Sequence, residues 1–370
     1  MRPRLLLALV LMAVAPACGG SPGGDAGDGS GRSGGGSGDR VPPASSTASA
    51  PTTAVAASAG CDEPAPVGPG EEKVTLGAGG AGGAGGAGRW YLRHVPPSYT
   101  GTDPVPVVVD FHGYTEGAEI HTRMSGLGPF GDEHGFVTVT PQGGGPVPMW
   151  DVTLGSADLD FFGDLLDHVE STLCVDTDRV YVTGLSNGAF MTSAVACEYA
   201  DRVAAVAPVA GVLDIEGCAP ARPVPVVAFH GTADGFVAFD GGIGSATLSL
   251  PAPDGSGRTI GELGAPESTG PAERVLRGPS VPEILAAWAA RNGCEGAPAE
   301  TAVADDVTLV EHPCPAGATV QLYRVEGGGH AWPGSATSGA LESIMGPTTF
   351  SIDANAVMWE LFEAHRLPAG

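Results

Sequence analysis

The sequence predicts an α/β fold, a mostly parallel sheet with helices on both faces. Two observations carry this expectation. From Arg89 onward, short runs of β-branched and aliphatic residues recur, and they are continuously apolar, as strands covered on both faces must be. Between them lie amphipathic stretches of helical period, and strand–helix alternation favours parallel pairing with helical crossovers. A third feature is the sharp corner at 184–188, where an apolar strand runs through glycine into a helical pattern.

Taken in order, "KVTL" (73–76) and "RWYLRHV" (89–95) read as strands. They flank the period-three run "GAGGAGGAGGAG" at 77–88, which lacks the proline of collagen and reads as an expanded hairpin loop. "VPVVVDF" (105–111) and "FVTVT" (136–140) follow as strands, then a helix over 158–173, a strand over 179–183 and a helix over 189–200. Further strands are expected at 203–209, 224–229 and 319–325, with a helix at 281–293. The last helix, 353–366, carries Asp353 as N-cap and an apolar side of Ala356, Trp359, Leu361 and Phe362. Residues 241–279 are rich in Gly, Pro and Ser without a clear period. They read as a long loop above the carboxyl edge of the sheet, over a cleft. One domain spans 62–368.

Two segments precede that domain. Residues 1–17 have the charged start (Arg2, Arg4) and short apolar run (Leu5 to Val14) of a signal peptide, too short to span a bilayer. Ala15 and Ala17 fit a small-residue cleavage site, and Cys18 directly after them resembles the lipidated cysteine of bacterial lipoproteins. Residues 18–60 are a Gly/Ser/Ala/Pro/Thr tether unable to bury enough surface to order itself. The protein is therefore expected outside the cell or at its surface, with the membrane reached only through the lipid. Setting Cys18 aside, Cys61, Cys174, Cys197, Cys218, Cys294 and Cys314 form an even set that suits disulfides in an exported chain. Their connectivity is left open by spacing alone. With 42 acidic against 17 basic residues the net charge is −25, which repels nucleic-acid phosphates and argues against a nucleic-acid partner.

The chemistry lies at Gly184-Leu185-Ser186-Asn187-Gly188. The pattern Gly-x-Ser-x-Gly between strand and helix pushes the serine out at the top of the sheet as a nucleophile. The Asn187 amide, at the helix start, faces the same space and can stabilise an oxyanion. A serine needs a base and the base an orienter, and in this arrangement the acid and then the histidine follow along the chain. Asp234 in "FHGTADGF" and His330 in "EGGGHAW" each sit where a strand ends. Asp240 is an alternative acid further into its loop, and His230 reads as ordering the Asp234 loop. His112-Gly113, after the 105–111 strand, would shape the second half of the oxyanion hole, with the Tyr114 amide as donor. His121, His134, His168, His312 and His365 read as ordinary core or surface residues.

These residues identify the chain as a member of the α/β-hydrolase superfamily. Within it the chain resembles the secreted polyhydroxybutyrate depolymerase and feruloyl esterase family. The likeness rests on "HGYTEGA", "CVDTDRVYVTGLSNGAFM", "ADRVAAVAPVAG", "PVPVVAFHGTADGFVAFDGG", "WAARNGC", "GGGHAWPG" and "IDANAVMWELF". It implies Ser186, Asp234 and His330 as the triad, the Tyr114 and Asn187 amides as oxyanion donors, and Trp150 beside the pocket. It also implies the pairs Cys61–Cys174, Cys197–Cys218 and Cys294–Cys314. Trp332, like Trp150, lies close in sequence to a catalytic loop, and both are weighed as substrate-binding residues against ordinary packing. The expected activity is serine ester hydrolysis through an acyl-enzyme. Its substrates would be short hydroxyalkanoate oligomers or feruloyl and acetyl esters of plant polysaccharide. A peptidase on the same fold and a surface binding protein with a vestigial site are the alternatives. No metal or organic cofactor is called for, and a monomer is expected.

Overall fold

The computed structural model describes residues 55–62, 67–77, 88–263 and 278–368. Cys18 with the signal segment and most of the tether, the Gly-Ala run at 78–87, and residues 264–277 lie outside the described residues. The described strands are β1 (Gly70–Thr75), β2 (Trp90–Val95), β3 (Val105–Phe111), β4 (Val137–Pro141), β5 (Val175–Leu185), β6 (Ala205–Val209), β7 (Val226–Gly231), β8 (Ala299–Ala304), β9 (Val307–Glu311) and β10 (Val320–Val325). They form one sheet in the order β1-β2-β4-β3-β5-β6-β7-β10-β9-β8. The run from β4 to β10 is parallel. β1 and β2 extend one edge antiparallel, and β9 and β8 the other.

The parallel strands are the apolar runs of the sequence. β4, β6 and β7 are buried throughout because helices cover both faces. The described helices are α1 (Ala118–Ser125), α2 (Leu127–His134), α3 (Ala157–Thr172), α4 (Asn187–Glu198), α5 (Val281–Arg291), the short α6 (Ala336–Ala340) and α7 (Glu342–Met345), and α8 (Ala354–Glu363). Leu165, Met191 and Trp288 of α3, α4 and α5 share one core, and Met124, Leu127 and Trp359 of α1, α2 and α8 belong to the other. Caps fix several starts. Ser156 Oγ accepts from the Leu159 amide at α3, and Ser280 makes a reciprocal capping box with Glu283 at α5. Asp353 accepts from the Asn355 and Ala356 amides at 2.8 and 3.2 Å.

Four expectations change. Ala356 is exposed, and Ala354 and Met358 join Trp359, Leu361 and Phe362 in the buried stripe of α8. The β8–β9 hairpin had no sequence signal because β8 is almost wholly exposed and lacks an apolar face. Residues 55–60, assigned to the tether, pack on the domain. Ala57 bridges Asp176, and Ser58 Oγ donates to Leu173 O at 2.7 Å and accepts from the Val175 amide at 3.0 Å. The Cys61–Cys174 disulfide pins the chain at this place, joined by Cys197–Cys218 and Cys294–Cys314, the pairs that the resemblance implies. Finally, residues 241–263 are organised, with a 3₁₀ turn at Ser245–Ser249 and a bridge between Pro251 and Thr259. The β1–β2 hairpin is present, with residues Gly70 to Thr75 paired to Val95 to Trp90.

The strand order sets where a site can form. From β3 the chain steps outward to β4, then returns past β3 to β5 and continues the other way. Loops leaving β3 and β5 therefore diverge and leave a crevice at their carboxyl ends. Tyr114 follows β3 and Ser186 follows β5.

Candidate active site

Ser186 stands alone between β5 and α4 with φ 58° and ψ −117°. A non-glycine residue at positive φ is strained, and such strain persists only where the surroundings enforce it. The flanking glycines are the means. A Cβ on Gly184 would lie 2.6 Å from Phe111 O, and one on Gly188 would collide with the same carbonyl. Only glycines let the elbow press against the end of β3. The Ser186 amide donates to Val209 O at 2.9 Å, holding the corner to β6.

The acid and histidine loops meet beyond β7 and β10. His330 Nδ1 and Asp234 Oδ2 are 2.8 Å apart, with both residues buried. The other carboxylate oxygen, Oδ1, accepts from the Phe236 and Val237 amides at 2.8 and 2.9 Å. Burial pushes the Asp234 carboxyl up. The charge and hydrogen bond of His330, aided by His230 and the Val237 amide, outweigh it and hold the group below its ordinary value. An ionised Asp234 fixes the proton of His330 on Nδ1 and leaves Nε2 free to accept one. Among the described residues Ser186 Oγ makes no hydrogen bond to His330, and such bonds commonly tighten only when substrate is bound. A Cβ on Gly231 would lie 2.2 Å from Gly328 O, and one on Gly329 2.4 Å from Met345 O, so the two loops need glycine where they are packed this closely.

His230 Nε2 lies 2.9 Å from Val237 O and 3.4 Å from Asp234 Oδ2, so it braces the acid loop. Asp240, the alternative acid, is exposed, and its side chain has no bond to His330.

On the β3 side, the Tyr114 amide makes no hydrogen bond among the described residues. The Asn187 amide is the first of α4, so it has no acceptor within the helix. The Asn187 side chain clamps the Trp150 backbone. Its Oδ1 accepts from Trp150 N at 2.7 Å, and its Nδ2 donates to Trp150 O at 3.1 Å. His112 fixes the turn from below. Its Nε2 accepts from the Gly143 amide at 2.8 Å, so Nδ1 carries the proton and donates to Gly113 O at 2.7 Å. Burial drives its pKa down to about 4, and the ring stays neutral.

The two tryptophans are corrected. Trp150 and Trp332 are each 1% exposed, so neither offers a ring face to a ligand. Trp150 packs edge-on to Phe111 and donates to His112 O at 3.0 Å, and Trp332 donates to Asn355 Oδ1 at 2.9 Å. Both rings pack into the core beside the loops that carry Asn187 and His330.

Two features border the site. The Phe236 ring lies 5.0 Å from that of His330, and Phe236 O accepts from the Gly244 amide and from Thr247 Oγ1, both at 2.7 Å. The Tyr114 hydroxyl donates to Pro251 O at 2.7 Å, and a Cβ on Gly255 would lie 2.8 Å from Pro146. Residues 244–255 thus run as a strap from the acid loop to the Tyr114 loop. Beside it is a cavity of ≈ 640 Å³ lined largely by apolar side chains, among them Val152, Leu154, Phe190, Val212, Val237 and Ile243. Phe190 is one turn along α4 from Ser186, and Val237 supplies an amide to Asp234.

Residues 149–222 match the model of the prolyl oligopeptidase family. Feruloyl esterase B of Piromyces equi is 28% identical over 64% of this chain and 41% of its own length. Poly(3-hydroxyalkanoate) depolymerase C of Paucimonas lemoignei is 35% identical over 32% of this chain and 30% of its own length. The chain thus spans less than half of either relative. A putative esterase of Nocardia uniformis subsp. tsuyamanensis, NocK, is 30% identical over 66% of this chain and 71% of its own length. An acetyl xylan esterase structure from Aspergillus awamori aligns with a TM-score of 0.49 at 18% identity, covering 74% of this chain and 97% of that one. With a parallel sheet, a strained serine elbow and this relationship to NocK, the chain belongs to the α/β-hydrolase superfamily, in the family of feruloyl esterase- and polyhydroxybutyrate depolymerase-like esterases.

Proposed function

We propose that the protein is a serine carboxylic-ester hydrolase. The observation that carries this reading is the buried Asp234–His330 hydrogen bond, set at the same sheet edge as the strained Ser186 elbow. His330 Nε2 takes the Ser186 proton as Oγ attacks the ester carbonyl. The carbonyl oxygen becomes an oxyanion received by the Tyr114 and Asn187 amides. Asp234 holds the imidazole tautomer and stabilises the imidazolium, which protonates the departing alkoxide. Water, deprotonated by His330, then attacks the acyl-enzyme and releases acid and Ser186.

The substrate is a small or oligomeric ester with an apolar or flat acyl group. The apolar cavity beside Phe190 and Val237 suits such a group, and the 244–255 strap favours soluble esters over crystalline polyester. Short hydroxyalkanoate oligomers and feruloyl or acetyl esters of plant polysaccharide share this chemistry, in keeping with the relatives' names. The prolyl oligopeptidase match ends at residue 222, before both Asp234 and His330, so it lends a peptidase reading little weight. The three disulfides suit export to an oxidising compartment, with Cys18 as lipid anchor and the enzyme acting as a monomer.

The test is labelling with a fluorophosphonate and a hydrolysis screen over methyl ferulate, acetylated xylan, p-nitrophenyl esters and hydroxybutyrate oligomers. Wild-type protein should be labelled at Ser186 and hydrolyse part of the panel. Ser186→Ala should lose both, with kcat down by ~10⁴-fold or more. Retained hydrolysis by purified Ser186→Ala would exclude the reading, and an unlabelled, inactive wild type would favour a vestigial site.

A further inference from the structure

Beneath the Tyr114 turn lies a buried cluster that the triad does not use. Asp110 near the end of β3, Glu116 in the following loop and His121 on α1 meet with His121 and Asp110 wholly buried and Glu116 nearly so. His121 Nε2 is 2.7 Å from Asp110 Oδ1, and Nδ1 is 3.0 Å from Glu116 Oε2. A neutral imidazole has one N–H. It would turn its lone pair toward one of these carboxylates, an arrangement that costs heavily in a buried site. With both carboxylates ionised two donors are required, and the imidazolium supplies both. Burial alone would lower the His121 pKa, but the charges of Asp110 and Glu116 and the hydrogen bonds to them raise it to about 10. The remaining oxygens, Asp110 Oδ2 and Glu116 Oε1, have no partner among the described residues, so His121 is the chief compensation for both carboxylates.

This cluster reaches the reaction centre through one bond. Glu116 Oε2 also accepts from the Gly113 amide at 2.7 Å. A Cβ on Gly113 would lie 3.1 Å from that oxygen and 3.7 Å from Ser186 Cβ, so Gly113 sits between the carboxylate and the Ser186 side chain. The turn it belongs to is strained, with Thr115 at φ 69°. The His121 ring also packs edge-on against Trp332 at 5.8 Å, two residues beyond His330.

We propose that His121, clamped between Asp110 and Glu116, is a positioning residue that holds the Gly113–Tyr114 turn so that the Tyr114 amide faces the oxyanion. The inference rests on the reading of Ser186 and the Tyr114 amide above and adds the residues that set the geometry. The carboxylate touches no substrate. Its effect passes through the Gly113 amide, and removing it lets the strained turn relax.

The experiment compares wild type, Glu116→Gln and Glu116→Leu as full chains, measuring kcat and KM on p-nitrophenyl acetate, affinity for a trifluoromethyl ketone that forms a tetrahedral adduct, and melting temperature. Losing a single oxyanion donor lowers kcat by ~10²–10³-fold, so a displaced one in Glu116→Leu should lower it by about 10–100-fold, with KM nearly unchanged. Ketone affinity should fall in parallel. Glu116→Gln keeps an acceptor for Gly113 and His121 and should recover most of the loss. The ring nitrogens of His121 should both be protonated in ¹⁵N spectra of the wild type at pH 7.

A folded Glu116→Leu with wild-type kcat and ketone affinity and only a lower melting temperature would overturn the proposal. So would a His121 carrying one proton. Should Glu116→Leu fail to fold, Glu116→Ala takes its place, and the nitrogen spectra still decide whether His121 is doubly protonated. Turnover surviving in Ser186→Ala would instead indict the reading of the site, and Ser186 labelling in the wild type with unchanged Glu116 variants would indict the clamp alone.

Discussion

Replacing Asp234 by Asn is a demanding test of the site, because the structure dictates what the amide must do. In the native loop Oδ1 accepts two amides, from Phe236 and Val237, while Oδ2 accepts the His330 Nδ1 proton. An asparagine keeps its oxygen toward the two amides, since turning it would leave two buried N–H groups facing an NH₂. Its nitrogen then faces His330 Nδ1. Two donors cannot share a bond, so the imidazole shifts its proton to Nε2 and presents a lone pair at Nδ1. Nε2 is then unable to accept the Ser186 proton. The variant is nearly isosteric and should fold, but kcat should fall by ~10⁴-fold, about 5 kcal/mol of transition-state stabilisation. Initial rates on p-nitrophenyl acetate, with active sites counted by fluorophosphonate labelling over long exposure, give the number. Asp240→Asn is the matched control and should stay near wild type, because Asp240 is exposed. Asp234→Asn within tenfold of wild type, or Asp240→Asn as damaging as Asp234→Asn, would refute the reasoning.

Three further outcomes are expected. Because the His121 pKa is about 10 in the fold against an unfolded value near 6.5, its stabilisation is complete below about pH 6.5 and is lost as pH climbs toward 10. Melting temperature should therefore decline over that window, less steeply in Glu116→Gln. His112, nearby and neutral, adds nothing there. Of the three disulfides, Cys61–Cys174 closes 113 residues while the others close 21 and 20, so its removal by paired Ala substitution should cost most, roughly 4–5 kcal/mol against about 3. Unfolding in urea measures the difference, and equal losses would count against the loop-entropy account. Replacing 244–276 by a few Gly and Ser residues is feasible because Gly241 lies against Gly278. It should raise turnover of bulky esters while sparing p-nitrophenyl acetate. Equal loss of both in a folded variant would make the strap part of the catalytic scaffold.

The sequence by itself determined the parallel sheet, because strands covered on both faces are mostly apolar and runs such as 105–109 and 136–140 recur between helical patterns. It also located the serine corner, since glycines at 184 and 188 record a close approach of backbones. Both are local signals: composition and spacing within one element. Strand β8 left no such trace, being paired through its backbone to β9 and exposed on its side chains. Trp150 and Trp332 were near the site in the chain, yet proximity in sequence says nothing about which way a ring points, and the fold turned both inward. His121 is the clearest case. Its neighbours in sequence make it look like any helix residue. Only the tertiary structure brings Asp110 from a strand and Glu116 from a loop onto its two nitrogens, and only their joint charge, in a buried place, favours an imidazolium there.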